Sequence, residues 1–216
     1  DRMNSVFRWL IALWLLVAAG LASAAEWTVM VYLCGDGDNE AACIQDFLEL
    51  AVSGSNADVN FLVQFDRVPE EIASYGNWTT THRFRVLTGM EPTAANAVSN
   101  WGDGLGGRET DTSLAATLTS FIDWGVDKYP AKYYALLVVG RSADYAGLCG
   151  DLTSKNKFLS LKNLRRAINT AKKDIDLIGL AVDRQGSIET AYELRDTGAA
   201  VMVASEDELP TDGWPF

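Results

Sequence analysis

The run Tyr133–Val139 (YYALLVV) restricts the fold more than any other stretch of this chain, because its unbroken apolar character demands burial on both faces. Such a strand belongs in the middle of a sheet. Two further runs, Trp27–Leu33 (WTVMVYL) and Val59–Phe65, have the same character, and Asp66 closes the second. The segment Thr80–Leu87 alternates charged and apolar residues and predicts a more exposed strand.

Between these runs the apolar spacing is helical. Asp38 or Asn39 is positioned to cap a helix carrying Ile44, Phe47, Leu48, Ala51 and Val52. A second helix, starting near Asp111 or Thr112, presents Leu114, Leu118, Phe121, Ile122 and Gly125 and stops at Tyr129-Pro130. Ser160 caps a third, through Leu161, Leu164 and Ile168. The last stretch, Asp176–Phe216, reads as a buried strand, a polar turn at Asp183-Arg184-Gln185-Gly186, a helix, a strand at Ala199–Ala204 and a loop ending in Asp212-Gly213-Trp214-Pro215. This alternation predicts an α/β fold, a three-layer α/β/α sandwich around a mostly parallel sheet. Such sheets carry their working groups at the carboxyl ends of their strands, so the turn at Asp183 is the first place to look for a site.

With 216 residues, 48% of them hydrophobic, the chain is long enough for one domain with a sizeable core. A formal net charge of -11 excludes a nucleic-acid partner, which needs clustered Lys and Arg, and suits a basic peptide or a cation. Arg2 and Arg8, the apolar run Trp9–Ala19, Gly20 and the small residues Ala22-Ser23-Ala24-Ala25 follow the order of a secretory signal peptide. The expected organisation is a signal peptide over 1–25 and a domain over 26–216. The apolar run falls short of the roughly 20 residues of a membrane span. The chain is therefore expected to be secreted, periplasmic or at the cell surface, with no stable membrane span after cleavage.

Four local features invite a chemical reading. Cys34, Cys43 and Cys149 are an odd number for an exported protein and have no zinc spacing, which leaves a Cys34–Cys43 disulfide and buried free thiols as alternatives. The acidic loop Gly35-Asp36-Gly37-Asp38-Asn39 opens like a calcium loop, but Phe47 stands where the twelfth-position Glu belongs, so a strand-to-helix turn is expected and no metal motif is assigned. His82, the single histidine, lies in the alternating strand with no visible partner for proton transfer. Gly102–Gly107 spells GxGxxG, yet no buried strand leads directly into it, so a loop is expected rather than a dinucleotide site.

The segments WTVMVYLCGDGDNE, NFLVQFDR, YPAKYYALLVVG, DLIGL, AYELRD and VASEDELPTDGWPF, in this order, resemble the clostripain family of cysteine peptidases, the C11 peptidases. The resemblance runs from about Trp27 to Phe216 and implies a caspase-like sandwich that cleaves after basic residues with a His-Cys dyad at two neighbouring strand ends. Calcium is implied as a possible cofactor by the resemblance alone. The resemblance also implies a catalytic domain that continues past the segment resembling GDGWP, so the chain is expected to be a truncated homologue, a fragment or one part of a processed protein.

The dyad itself departs from the family. Where the family typically reads Asn-His-Gly-Ser-Gly, this chain has Gly140-Arg141-Ser142-Ala143-Asp144, and where it reads Phe-Asp-Ala-Cys-Leu-Met-Gly, this chain has Leu180-Ala181-Val182-Asp183-Arg184-Gln185-Gly186. The histidine position is Arg141 and the cysteine position Asp183. Arginine stays protonated and cannot act as a general base, and a carboxylate lacks the nucleophilicity of a thiolate. No functional catalytic residue is therefore expected, and the chain reads as an inactive homologue, a pseudoenzyme that binds a peptide or protein or serves an extracellular assembly. The partner would be a peptide, other copies of the chain, or its own missing C-terminal part. An active peptidase using Cys149 with His82 and a purely structural surface protein are the alternatives.

Three further expectations follow. The opposite charges of Arg141 and Asp183 predict an ion pair across the former dyad, with Arg184 the rival partner for Asp183. Ala181 stands at the family's acidic position two before the cysteine, while Asp212 matches another acidic position and is the candidate substrate-binding residue, or simply a turn residue before Gly213. The strand at Ala199–Ala204 is expected to leave an open edge.

Overall fold

The computed structural model describes residues 24–68, 72–104, 106–210 and 213–216. Eight strands and four α-helices alternate along the described residues. They are β1 (Ala25–Gly35), α1 (Glu40–Ser53), β2 (Val59–Arg67), β3 (Thr81–Arg85), α2 (Ala115–Lys128), β4 (Ala131–Val139), β5 (Leu148–Asp151), β6 (Lys157–Leu159), α3 (Leu161–Thr170), β7 (Leu177–Ala181), α4 (Ile188–Leu194) and β8 (Val201–Ala204). Six strands form one sheet in the order β3-β2-β1-β4-β7-β8, and β5-β6 is a separate hairpin. All neighbours in the main sheet are parallel except β3, which runs antiparallel to β2. The expected mostly parallel α/β/α sandwich is what forms.

The two-residue period of β1 sorts its side chains between two cores. Met30, Tyr32 and Cys34 join Leu136, Val138, Ile178 and Leu180 under α2 and α3. Val31 and Leu33 join Val63, Phe65, Val139 and Ala181 under Phe47 and Leu50 of α1. Burial on both faces is why these strands read as continuous apolar runs. Ser160 caps α3 as expected, accepting the Asn163 N–H at 3.1 Å. Asn39 occupies the cap position of α1 but makes no side-chain capping bond; its amide instead donates to the Cys34 carbonyl at 3.0 Å.

Elsewhere the structure corrects the reading. The second helix begins at Ala115, because Asp111 bonds the Ser113 N–H in a turn before it. The strand around His82 is more covered than its alternating pattern suggests: Arg83 is buried, its guanidinium 4.3 Å from the Trp101 ring and its Nε donating to Gln64 Oε1 at 2.8 Å. The charged residue is stabilised inside by an aromatic face and hydrogen bonds. The cover comes from the GxGxxG loop, where a Cβ at Gly106 would lie 2.0 Å from the Trp101 indole nitrogen. That glycine admits an aromatic ring, which accounts for it without a phosphate. At the other end of the sheet β8 is the outer strand, with Val201 and Val203 exposed, as the open edge requires.

The expected signal peptide falls, apart from Ala24 and Ala25, outside the described residues, and β1 starts at Ala25. Among the described residues no helix is long and apolar enough to cross a membrane.

Candidate functional site

The register of β4 against β7 pairs Val139 with Ala181. Arg141 and Asp183 therefore each lie two residues past a matched pair, at neighbouring carboxyl strand ends. The structure brings the two positions to one place but does not join them. Arg141 Nε lies 3.0 Å from Asp38 Oδ1, in the loop after β1. Asp183 Oδ1 accepts the Leu209 N–H at 2.7 Å, from the loop after β8. Among the described residues no Arg141–Asp183 ion pair forms, and Arg184 does not pair with Asp183 either. The exposed carboxylate of Asp38 lies on one side and the Leu209 N–H on the other, so each residue is satisfied by its own neighbouring loop.

The loops are nevertheless linked, by residues other than those expected. Arg184 Nη1 donates to Asp144 Oδ1 at 3.3 Å, and its Nη2 pairs with Glu208. Beneath it the buried Gln185 donates Nε2 to the Asp144 carbonyl at 3.1 Å and the Asp183 carbonyl at 3.3 Å, and its Oε1 accepts from Thr190 at 3.3 Å. The turn after β7 thus holds the loops after β4 and β8. Asp212 lies outside the described residues. Further along the chain, Trp214 and Phe216 pack with the α1-side core, and the Phe216 N–H reaches Glu49 Oε2 at 3.1 Å.

The thiols are placed where chemistry is hard to reach. Cys34 and Cys149 form a disulfide with Cα atoms 5.2 Å apart, which replaces both cysteine alternatives drawn from the sequence for these two residues. Gly140, one residue before Arg141, lies against it: a Cβ there would sit 3.0 Å from Cys34 Cβ. Cys43 is free but fully buried, and burial, with the carboxylates of Asp46 and Glu40 nearby, pushes its thiol well up. Cys149 therefore cannot partner His82. That histidine lies on β3 opposite Phe65, its ring 4.6 Å from Trp78 and held below its ordinary value by burial.

The model of the clostripain family of C11 peptidases matches residues 31–216. The chain belongs to the clostripain family. No curated protein matches it. Among solved structures, this clostripain-family chain is similar to a secreted C11 cysteine protease from Bacteroides thetaiotaomicron bound to an irreversible peptide inhibitor, with 17% identity, a TM-score of 0.68, and 89% of this chain and 52% of that one covered. A second structure of a secreted C11 protease from Bacteroides thetaiotaomicron, called iotapain, gives 18% identity, a TM-score of 0.64, and 89% and 55% coverage. An inactive zymogen of a C11 protease from Parabacteroides distasonis gives 20% identity, a TM-score of 0.64, and 89% and 52% coverage. The chain spans about half the length of these structures.

Calcium, the cofactor implied by resemblance to this family, finds a candidate set of ligands that the sequence did not reveal. Asp36, Asp66, Asp151 and Glu109 each offer a carboxylate oxygen, and the four atoms lie within 4.8 Å of one another. Burial raises Asp36 and, more strongly, Asp66, where the Glu109 charge adds to it. Burial also pushes Glu109 up to about 7. For Asp151 burial acts in the same sense, but hydrogen bonds from Asp36 and the N–H groups of Thr112 and Ser154 outweigh it and hold the carboxyl low. Hard oxygen donors of this kind fit calcium, and no thiol or imidazole belongs to the set.

Proposed function

We propose that this clostripain-family chain is a catalytically inactive, secreted homologue that binds peptides or another protein, or serves an extracellular assembly. The single observation that carries the reading is the pair Arg141 and Asp183 at the matched ends of β4 and β7, where a peptidase dyad needs a proton acceptor and a thiolate. The disulfide at Cys149 and the burial of Cys43 support it, since a thiol nucleophile must be ionised and accessible. The acidic rim of Asp144, Glu206, Asp207 and Glu208, all exposed, favours a basic peptide as ligand.

The test is incubation of the purified chain with arginyl and lysyl fluorogenic peptides, with and without calcium, together with calorimetric titration of the same peptides. Binding without turnover is expected. Turnover abolished by a thiol alkylator would overturn the reading in favour of an active peptidase. Absence of both binding and turnover, with self-association of the purified chain, would favour a purely structural surface protein.

A further inference from the structure

We infer that Arg83 anchors a binding site for a small monocarboxylate, in a hollow beside the first turns of α2 that it lines with Trp101, Arg108, Thr110, Thr117 and Ser120. The inference is independent of whether the chain cleaves peptides, since β3 lies three strands across the sheet from β4.

The sheet and α2 hold the guanidinium in place. Arg83 on β3 pairs in register with Gln64 on β2, and its Nε donates to Gln64 Oε1 at 2.8 Å. Its Nη2 donates to Ser120 Oγ at 3.1 Å, on α2. The Trp101 ring has Arg83 4.3 Å and Arg108 4.8 Å from its centroid, so two guanidinium groups and one aromatic wall meet at the same hollow.

Unmatched donors point to the ligand. Arg83 is 1% exposed, yet its Nη1 has no hydrogen-bond partner. Two buried donors beside it are also unmatched, Gln64 Nε2 and the Nε1 of Trp124, whose ring centroid lies 5.5 Å from the guanidinium carbon. Among the described residues no ion pair involves Arg83. Asp103 connects to it through the Ser120 hydroxyl, which donates to Oδ2 at 3.4 Å, and Arg108 takes that same oxygen at 3.0 Å. A buried cation without a counter-charge and buried donors without acceptors are both costly, and one oxyanion answers both. Burial lowers Arg83 to about 10, which leaves it charged at neutral pH.

The hollow also sets the class of anion. A guanidinium matches carboxylate and phosphate alike. Asp103 and Asp111 line the same hollow and the chain carries a net charge of -11, so a dianion is repelled more than a monocarboxylate. A volume of about 330 Å³ is at the small end of ligand sites and suits an amino acid or the last residue of a peptide.

The experiment is an NMR titration of the isotope-labelled full chain, read at the tryptophan indole N–H resonances. The probes are N-acetylglycine for a peptide carboxyl terminus, glycine for a free amino acid, N-acetylglycinamide as the uncharged control, and inorganic phosphate. At least one of the two carboxylates is expected to shift the Trp101 and Trp124 resonances saturably, and the tighter of the two names the source. The amide and phosphate should bind at least tenfold more weakly than that carboxylate. Arg83→Gln should weaken carboxylate binding by tenfold or more. So should Ala116→Phe, an exposed position whose larger side chain fills the hollow, with the thermal unfolding midpoint unchanged. No saturable shift at tens of millimolar would overturn the site. An amide that binds as tightly would overturn the role of charge, and phosphate binding as tightly would overturn the monocarboxylate assignment. Should Arg83→Gln not fold, Ala116→Phe decides, and unchanged binding in it overturns the site.

Discussion

Arg141 reaches back to Asp38, its Nε 3.0 Å from Oδ1, and so turns toward the loop after β1 while Asp183, at the neighbouring strand end, turns toward the loop after β8. The two neighbouring strand ends are thus held by two separate tethers. They should differ in energetic weight. Asp38 is exposed, and an ion pair of this kind contributes less than about 1 kcal/mol, so Arg141→Ala should be nearly neutral. Asp183→Ala leaves the Leu209 N–H without its acceptor and should cost about 1–3 kcal/mol. Urea unfolding of the two variants measures the difference, and equal losses would contradict it.

Gln185, rather than Arg184, should dominate the linkage between the loops. Its buried amide satisfies groups on three segments, so Gln185→Ala should cost about 1–3 kcal/mol. Arg184→Ala, with exposed acidic partners screened by solvent, should cost less than Gln185→Ala. Hydrogen exchange at Asp144–Ala146 should accelerate in the glutamine variant; a larger loss in the arginine variant would reverse the assignment.

The disulfide closes a loop across a sequence separation of 115. Its removal by Cys34→Ala/Cys149→Ala should therefore destabilise the chain by about 2–5 kcal/mol. A thiol reagent should find no reactive cysteine in the native chain and one, Cys43, after unfolding without reductant. More than one thiol on unfolding would contradict the pairing.

His82 should titrate below 6.5, since burial disfavours its charged form. The unfolded chain then binds more protons than the folded one in the window below 6.5, so His82 costs nothing above that pH and lowers stability as pH falls from 6.5 toward its folded value. The single imidazole resonance in an NMR titration reports the folded value directly, and a midpoint at or above 6.5 would contradict it. In His82→Gln that part of the acid sensitivity should disappear.

Much of the fold was legible because burial on both faces writes itself into composition. Tyr133–Val139 and Trp27–Leu33 are apolar throughout for that reason, and Ser160 announces a helix start by the bond it makes three residues on. The alternating strand around His82 was misleading, because alternation implies a wet face, and here the face bearing Arg83 is covered by Trp101 while Trp78 packs on His82 on the other. At the site, the placement of Arg141 and Asp183 at strand ends could be read from local context, but their partners could not.

The sequence by itself determined the layered α/β architecture, the family, and the absence of histidine and cysteine at the two strand ends, since each depends on residue identity and local order. The tertiary structure decided which side chains meet. Cys149 takes Cys34 rather than Cys43, Arg141 takes Asp38 rather than Asp183, and carboxylates at positions 36, 66, 109 and 151 converge, because such contacts depend on distances of a few ångströms set by strand register and loop packing. One-dimensional spacing carries no record of those distances.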